Sequence, residues 1–269
     1  MERLTVLEFV RDADPVWNLP AGLAQGLAAR HPDVTFLSPA DRSDAERALP
    51  QADVVYGPLV NPDNFALAPR LRWIHVSAAG VGSLLFPALV ESEIVFTNGR
   101  GLHGISMAEH ALGLMLAFAR KTHLARDRQR ERRWDQAGLW RDPPPFGQLA
   151  GGVLGLVGMG AVGTALAARA AALGMRVIAV RPHPAPEPAP AHEQWGLERL
   201  PELLERADWV VLAAPHTPAT RGMIGAAELA RMKTSAVLVN LGRGALVDQA
   251  ALVEALLAGR IAGAALDVF

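Results

Sequence analysis

The sequence predicts an α/β fold with two doubly wound parallel-sheet domains. Short β-rich runs alternate with helical patterns twice, once before Asn98 and again from Gly152 onward. Such alternation is typical of parallel sheets that are covered by helices on both faces. The length of 269 residues fits one large domain or two domains of ordinary size.

The first series of predicted elements forms one α/β unit. Its predicted strands are Leu4–Phe9, Val34–Leu37, Asp53–Tyr56, Trp73–Val76 and Ile94–Thr97. Helical patterns lie between them at Ala21–Arg30 and Ser43–Leu49, and a stretch interrupted by Pro and Asn follows at Asn61–Pro69.

The second series begins at Gly152. Its predicted strands are Val153–Val157, Arg176–Val180, Trp209–Ala213, Ala236–Asn240 and Ala262–Leu266, and its predicted helices are Val162–Leu173, Leu200–Arg206, Ala226–Met232 and Gln249–Ala258. Between the two series, a helical period from His103 predicts one long helix that crosses between the domains. The stretch Trp134–Leu149, with prolines at 143–145, predicts a loop or arm, and the alternate prolines of 182–190 predict a stiff, extended loop.

The composition excludes several classes of protein. The sequence has 26 basic and 27 acidic residues, a balance that disfavours a strongly basic nucleic-acid binder. The absence of cysteine excludes disulfides, thiolate metal sites and cysteine nucleophiles. The first residues lack the pattern of a signal peptide, and the longest apolar helical stretch, Ala111–Ala119, is too short to span a bilayer. We therefore expect a soluble, cytoplasmic protein without a metal, nucleic-acid or membrane partner.

A glycine-rich turn follows the first strand of the second series. Gly158-Met159-Gly160-Ala161-Val162-Gly163 lies between the apolar run VLGLV and a helical pattern, which is the context of a dinucleotide-binding turn. Glycines at these positions allow the tight turn, the close approach of a pyrophosphate and the packing of helix on strand. The helix N-terminus then offers free N–H groups to the anion. The alternative is a tight turn that binds nothing.

The residue that ends the next strand bears on the choice of dinucleotide. An acidic residue usually stands there and accepts a hydrogen bond from the adenosine ribose of NAD. In this sequence the strand is followed by Arg181, with His183 close behind. An arginine cannot accept that bond, but it can pair with a 2′-phosphate. The sequence therefore favours NADP(H) over NAD(H), and the alternative is a solvated surface arginine.

Several segments from Leu71 onward share their order and spacing with one known family. They are LRWIHVSAAGV, TNGRGLHGISMAEHALGLMLAFAR, GGVLGLVGMGAVG, LAAPHTPATRGMIG and LVNLGRGALVDQAALVEALLAGRIAGAALDV. The chain thereby resembles the D-isomer-specific 2-hydroxyacid dehydrogenases, which include glyoxylate/hydroxypyruvate reductases and phosphoglycerate dehydrogenases. Residues before Leu71 agree with the family only in their α/β pattern.

The resemblance implies a flavodoxin-like, substrate-binding domain over residues 1–98, without its usual C-terminal return segment. It also implies a Rossmann domain for NAD(P) over residues 99–269, which includes the crossing helix and a dimerisation arm, with the active site in a cleft between the domains. Arg243 matches the family's catalytic arginine, whose planar guanidinium can hold a keto acid's carboxylate and polarise its carbonyl. Backbone N–H groups of Ala79, Gly80 and Val81 match a second carboxylate clamp, although Gly82 replaces an acidic residue that is frequent in relatives.

The resemblance also implies a set of residues that contact the cofactor. Within the glycine turn, these include Ala161 and Val162 at the pyrophosphate. Elsewhere they are Pro215 and Thr220 beneath the adenosine, Leu241 in the loop of the catalytic arginine, and Asp267 at the nicotinamide amide. A carboxylate at this last position can accept the amide N–H and orient the ring.

The resemblance further implies a glutamate and a Pro-His general acid after the Asp-Val-Phe segment, where this sequence ends at Phe269. We therefore expect a chain truncated before its general acid, which transfers hydride between NADP(H) or NAD(H) and a small 2-keto or D-2-hydroxy acid as a homodimer. The alternative is a catalytically silent, nucleotide-sensing or corepressor-like protein of the same family.

Overall fold

The computed structural model describes residues 3–11, 14, 18–20, 22–141, 146–187 and 189–269. It divides into two compact units, Met1–Arg100 and Gly101–Phe269. Each unit has its own parallel sheet and its own hydrophobic core. The prolines of 143–145 and Pro188, which belong to the predicted arm and the predicted stiff loop, lie outside the described residues.

The first unit contains a five-stranded sheet. Its elements are β1 (Leu4–Glu8), α1 (Leu23–Arg30), β2 (Val34–Leu37), α2 (Arg42–Ala48), β3 (Val54–Tyr56), β4 (Trp73–Val76), α3 (Pro87–Val90) and β5 (Val95–Asn98). All pairings are parallel and the strand order is β2-β1-β3-β4-β5. This 2-1-3-4-5 order is that of flavodoxin-like folds, and it confirms the predicted fold class.

The second unit contains a six-stranded parallel sheet in the order β11-β10-β9-β6-β7-β8. Its elements are α4 (Gly104–Ala119), α5 (Thr122–Arg130), α6 (Gln136–Arg141), β6 (Val153–Val157), α7 (Ala161–Ala172), β7 (Arg176–Val180), β8 (Glu193–Trp195), α8 (Leu200–Arg206), β9 (Trp209–Leu212), α9 (Ala226–Arg231), β10 (Val237–Asn240), α10 (Gln249–Leu257) and β11 (Gly263–Leu266). Numbered within the unit, the order is 3-2-1-4-5-6, the Rossmann arrangement.

The prediction of one long helix from His103 was wrong. The helix ends after Ala119, and Lys121 takes a left-handed conformation with φ of 51° before α5 begins. The fully buried Lys121 side chain donates from Nζ to the carbonyl of Leu139 at 2.6 Å. This contact links the break between α4 and α5 to the segment that contains α6. The predicted loop or arm after it contains the short helix α6.

Two short elements have no counterpart in the sequence prediction. Helix α3 is a single turn that begins at Pro87, and β8 is a three-residue strand at the edge of the second sheet. In the described part of the chain, no helix is both long and apolar enough to cross a membrane.

Asp53 ties the amino ends of the strands in the first unit. Its buried carboxylate accepts the backbone N–H of Thr5 at 2.9 Å and the guanidinium of Arg70 at 3.4 Å, and Arg72 lies 3.6 Å away. The hydrogen bond from Thr5 is the largest influence and lowers the pKa of Asp53. Burial opposes this effect, and the charges of Arg70 and Arg72 lower the pKa further.

We expect Asp53→Asn to destabilise the first unit by about 1–3 kcal/mol at neutral pH, because it removes a charge-assisted hydrogen bond. A carboxylate whose folded pKa is lowered stabilises above its unfolded pKa of about 3.9 and loses that effect as the pH falls through the folded pKa. The difference between variant and wild type should therefore shrink below about pH 4. Amide hydrogen exchange in β1 and β3 measures it, and a difference that stays constant down to acid pH contradicts this explanation.

Candidate functional site

The predicted residues of the second unit converge on one edge of its sheet. Strands β6, β7, β10 and β11 run in the same direction, so the loops that follow them meet at the carboxyl edge. In open α/β sheets this edge is where ligands bind. The glycine turn follows β6, Arg181 follows β7, Arg243 lies three residues beyond β10, and Asp267 follows β11.

Two glycines of the turn are required by the packing of the protein itself. Gly158 has φ of 105°, and a Cβ there would lie 2.8 Å from the carbonyl oxygen of Ala213. A Cβ on Gly163 would overlap the carbonyl oxygen of Gly158. The turn and the first turn of α7 therefore approach each other so closely that neither position accepts a side chain.

Gly160 differs from these two glycines. Its φ of −80° suits any residue, and a Cβ built there meets no atom within 4 Å. It forms the N-cap of α7 without a side-chain acceptor, and the first turn of α7 contains no acidic residue. The N-terminal N–H groups and the positive end of the helix dipole are thus uncompensated beside an open space, an arrangement that fits a phosphate or pyrophosphate.

The other residues of the turn offer their backbone more than their side chains. Met159 is buried in the core of the unit, and the half-buried Val162 packs against the same core. Ala161 is exposed, and its carbonyl oxygen would lie 3.1 Å from a Cβ on Gly104, at the start of α4. A ligand at this turn therefore meets N–H groups and the small methyl group of Ala161, with no charged side chain.

Arg181 has an unusual environment for this part of the protein. Its backbone N–H donates to Trp195 at 3.0 Å, but its guanidinium has no hydrogen bond or ion pair with any described residue. His183, two residues later, is exposed. Among the described residues, the positive charge of Arg181 at the carboxyl end of β7 therefore has no counter-ion.

Neighbouring arginines are all engaged, in contrast to Arg181. Arg176 and Arg206 pair with Glu193 at 2.7 and 3.3 Å, and Arg199 lies 3.6 Å above the ring of Trp195. Burial is the largest single influence on Glu193 and raises its pKa, but the hydrogen bond from Arg176 and the charges of Arg206 and Arg176 outweigh it and lower the pKa overall. Glu193 is therefore ionised and holds its partners in place.

Thr220 shapes the loop that follows β9. Its buried hydroxyl donates to the carbonyl of Pro215 at 2.7 Å and accepts the N–H of Thr217 at 2.8 Å. Pro215 is exposed on the same loop. The threonine hydroxyl is thus used inside the loop, and it fixes the position of the proline.

Asn240 organises the loop that carries Arg243, and the sequence analysis missed this role. Its buried side chain accepts the N–H of Gly242 at 3.1 Å and donates to the carbonyl of Arg243 at 2.9 Å. Leu241 is buried and donates its N–H to Leu212 at 3.0 Å, so its side chain belongs to the core. The exposed Arg243 donates from Nη1 to the carbonyl of Gly242 at 2.6 Å. Its remaining donors have no partner in the described chain.

Asp267 continues the pairing of β10 with β11 by one residue, since its N–H donates to the carbonyl of Asn240 at 3.0 Å. Its carboxylate Oδ1 lies 3.2 Å from Nε2 of His110, a residue of α4. Both side chains are partly exposed.

In the first unit, the loop Ser77–Val81 follows β4. Two of its carbonyls accept hydrogen bonds from the end of β5 and the residue after it. The Asn98 side chain donates to the carbonyl of Ala79 at 2.8 Å, and the Gly99 N–H donates to the carbonyl of Ala78 at 3.2 Å. The N–H groups of Ala79, Gly80 and Val81 have no hydrogen-bond partner in the described part of the chain. Successive free N–H groups of this kind can bind an anion. No group of His, Cys, Asp and Glu among the described residues is arranged to hold a metal ion.

The different environments of the turn glycines predict opposite outcomes for the same substitution. Gly163→Ser should destabilise the second unit by about 1–3 kcal/mol, because the new side chain overlaps backbone. Gly160→Ser should leave stability within about 0.5 kcal/mol or raise it, because serine caps helices well and the space is open. Thermal unfolding of both variants measures this, and equal losses would contradict the packing described.

The NAD binding domain model of the D-isomer specific 2-hydroxyacid dehydrogenases matches residues 112–269. The chain is 36% identical over 227 residues to D-3-phosphoglycerate dehydrogenase of Methanocaldococcus jannaschii, a match that covers 82% of this chain and 42% of that protein. It is 38% identical over 213 residues to glyoxylate reductase of Korarchaeum cryptofilum, with 78% and 63% covered.

The solved structure of a D-isomer specific 2-hydroxyacid dehydrogenase family protein from Aeromonas salmonicida superposes with a TM-score of 0.84 at 29% identity, covering 100% of this chain and 82% of that one. The chain spans less than half the length of the phosphoglycerate dehydrogenase that it matches. The family model covers more than half of this chain, including the glycine turn, Arg243 and Asp267. This chain belongs to the D-isomer-specific 2-hydroxyacid dehydrogenase family.

Proposed function

We propose that this chain is an NADP(H)-preferring oxidoreductase that reduces a small 2-keto acid to the D-2-hydroxy acid. The observation that carries the proposal is a pair of guanidinium groups without counter-ions among the described residues, on either side of an uncapped helix N-terminus. Arg181 follows β7, on one side of β6, and Arg243 follows β10, on the other side. A dianionic phosphate and a carboxylate are the ligands that two such groups suit.

The proposed cofactor contacts are made by residues at the carboxyl edge of the second sheet. The N–H groups of Ala161 and Val162 bind the pyrophosphate, and Gly160 leaves space for it. Arg181, with His183 beside it, binds the 2′-phosphate of the adenosine. Pro215 lines the adenosine, in a position held by Thr220. Asp267 accepts the amide N–H of the nicotinamide.

The proposed substrate contacts are made by Arg243. Its guanidinium holds the carboxylate of the keto acid and stabilises the negative charge that develops on the carbonyl oxygen. When bound, the reduced dinucleotide would supply the hydride for the keto carbon, and solvent water would supply the proton that converts the resulting alkoxide into the hydroxyl group. Asn240 keeps the Arg243 backbone in place through two hydrogen bonds, so the guanidinium acts from a fixed base. In the first unit, the free N–H groups of Ala79, Gly80 and Val81 suit a carboxylate.

We also propose that the protein is a cytoplasmic homodimer. Large apolar side chains between residues 101 and 141 are exposed in the single chain: Leu102 at 76%, Ile105 at 59%, Trp134 at 91% and Trp140 at 64%. Exposed apolar groups of this size in one region are typical of a surface that another protein covers.

The role of Arg181 is tested by removing its charge. Arg181→Gln should weaken NADPH binding about 10–100-fold, the equivalent of a charge-assisted hydrogen bond, and leave NADH binding nearly unchanged. The matched control is Arg176→Gln. Arg176 is the first residue of β7, pairs with Glu193 and is distant from the carboxyl edge that Arg181 occupies. Calorimetric titration measures both affinities. If NADH binds as well as NADPH and Arg181→Gln changes neither, the cofactor preference is refuted.

The role of Arg243 is tested by separating cofactor binding from turnover. Arg243→Gln should leave the affinity for NADPH within about 2-fold and lower kcat/KM for glyoxylate about 10²–10³-fold, because it removes the group that stabilises the developing charge. Loss of NADPH absorbance with glyoxylate, hydroxypyruvate and pyruvate is the measurement. An unchanged kcat/KM for every keto acid would exclude Arg243 from the reaction.

A further inference from the structure

The contact between His110 and Asp267 joins two elements at the carboxyl edge of the second sheet. Nε2 of His110, on α4, lies 3.2 Å from Oδ1 of Asp267, directly after β11. The side chains retain 45% and 34% of their exposure, and ion pairs so exposed contribute little to stability.

The packing of α4 against β11 determines which residues meet. At the start of β11, a Cβ on Gly263 would lie 2.5 Å from the Phe118 ring, so helix and strand are in close contact there. The helical rise from Phe118 back to His110 is about 12 Å, and the strand rise from Gly263 to Asp267 is about 13 Å. The two elements run antiparallel and in register, which brings His110 to the end of the strand. Buried Ala111 and Met115 of α4 share one core with Ala265 of β11.

Asp267 has one fixed backbone contact and one side-chain neighbour. Its backbone N–H donates to the carbonyl of Asn240, and its Oδ1 lies 3.2 Å from Nε2 of His110. Its Oδ2 has no partner in the described chain. The neighbouring helix residue Glu109 is directed elsewhere, toward Arg169 of α7 at 3.4 Å, so it does not compete for the imidazole.

We propose that His110 is a positioning residue for the cofactor's nicotinamide. Its Nε2–H donates to Oδ1 of Asp267 and fixes the carboxylate in one orientation, which directs Oδ2 to accept the N–H of the nicotinamide amide. This inference rests on the proposed function, because it concerns the ring end of the same dinucleotide. A carboxylate held in advance loses less conformational freedom when the amide binds.

The experiment compares three ligands on the wild-type chain, His110→Leu, His110→Gln and a control, Glu109→Gln. The ligands are NADPH, its reduced 3-acetylpyridine analogue, which has a ketone in place of the amide, and 2′,5′-ADP, which has no pyridine ring. Calorimetric titration measures their Kd values, and thermal unfolding verifies that each variant is folded. Glu109 sits next to His110 on α4, and its ion pair lies outside the proposed site.

We expect His110→Leu to raise the Kd for NADPH about 2–10-fold, the cost of ordering one side chain, and to leave the other two ligands within about 2-fold. His110→Gln should restore NADPH binding, because its amide can also donate to Asp267. Glu109→Gln should change no affinity.

Three outcomes overturn the inference. Equal weakening of all three ligands by His110→Leu would indicate a structural role only. Unchanged NADPH affinity would show that His110 has no role in binding. If the wild-type chain binds neither NADPH nor 2′,5′-ADP, the proposed function fails and this inference fails with it. If the wild-type chain binds NADPH and the variants bind it with the same Kd, the inference alone is refuted.

Discussion

The close approach of backbone segments at the glycine turn is the constraint on which the second unit depends. Because Gly158 and Gly163 have no side chains, α7 begins directly at the end of β6, and its N-terminus lies at the carboxyl edge of the sheet. Gly104 allows α4 to pack against Ala161 in the same way, and Gly263 allows the Phe118 ring of α4 to pack against β11. The absence of side chains at these glycines thus determines where α7 begins and how closely α4 packs. The first places the anion-binding N-terminus of α7, and the second places His110.

The sequence as a whole is nearly neutral, so the electrostatics of the site depend on where individual charged groups lie and which of them are paired. Arginines that stabilise the fold are paired with carboxylates or stacked on Trp195, as Arg176, Arg199 and Arg206 are. Arg181 and Arg243 have no carboxylate partner in the described residues. These two guanidinium groups and the uncapped N-terminus of α7 concentrate positive potential at the carboxyl edge of the second sheet. This potential is the electrostatic basis for binding a phosphorylated cofactor and a substrate with a carboxylate.

Much of this arrangement was predictable, because it depends on local sequence. Strand Val153–Val157 is a continuous apolar run and Arg176–Val180 is apolar after its first residue, as expected for strands buried on both faces, and their observed bounds match the predicted ones. The glycine turn and Arg181 follow such strands directly and Arg243 lies three residues beyond β10, so their place at the carboxyl edge is a consequence of parallel topology. The role of Asn240 lies within the same motif, and the available signal was an amide side chain at the end of an apolar strand, two residues before a glycine.

Features that depend on distant contacts were not predictable. The helical pattern continues through Arg120 and Lys121, where the helix breaks. The contact of the Lys121 amine with the Leu139 carbonyl joins residues 18 apart along the chain, which periodicity does not reveal. The short strand β8 is polar at its start and pairs only at a sheet edge, so it lacks an apolar run. The pairing of His110 with Asp267 requires the register between α4 and β11, which only the packing of Phe118 on Gly263 establishes.

The proposed function depends on the binding of the cofactor's phosphates by backbone N–H groups at the N-terminus of α7. A titration of the isotope-labelled protein with NADPH, followed by amide chemical shifts in the nuclear magnetic resonance spectrum, tests this interaction directly. We expect the N–H signals of Gly160, Ala161 and Val162 to shift in saturable fashion, together with those around Arg181. If these amide signals keep their positions while signals elsewhere in the protein respond to NADPH, the N-terminus of α7 does not bind the phosphates.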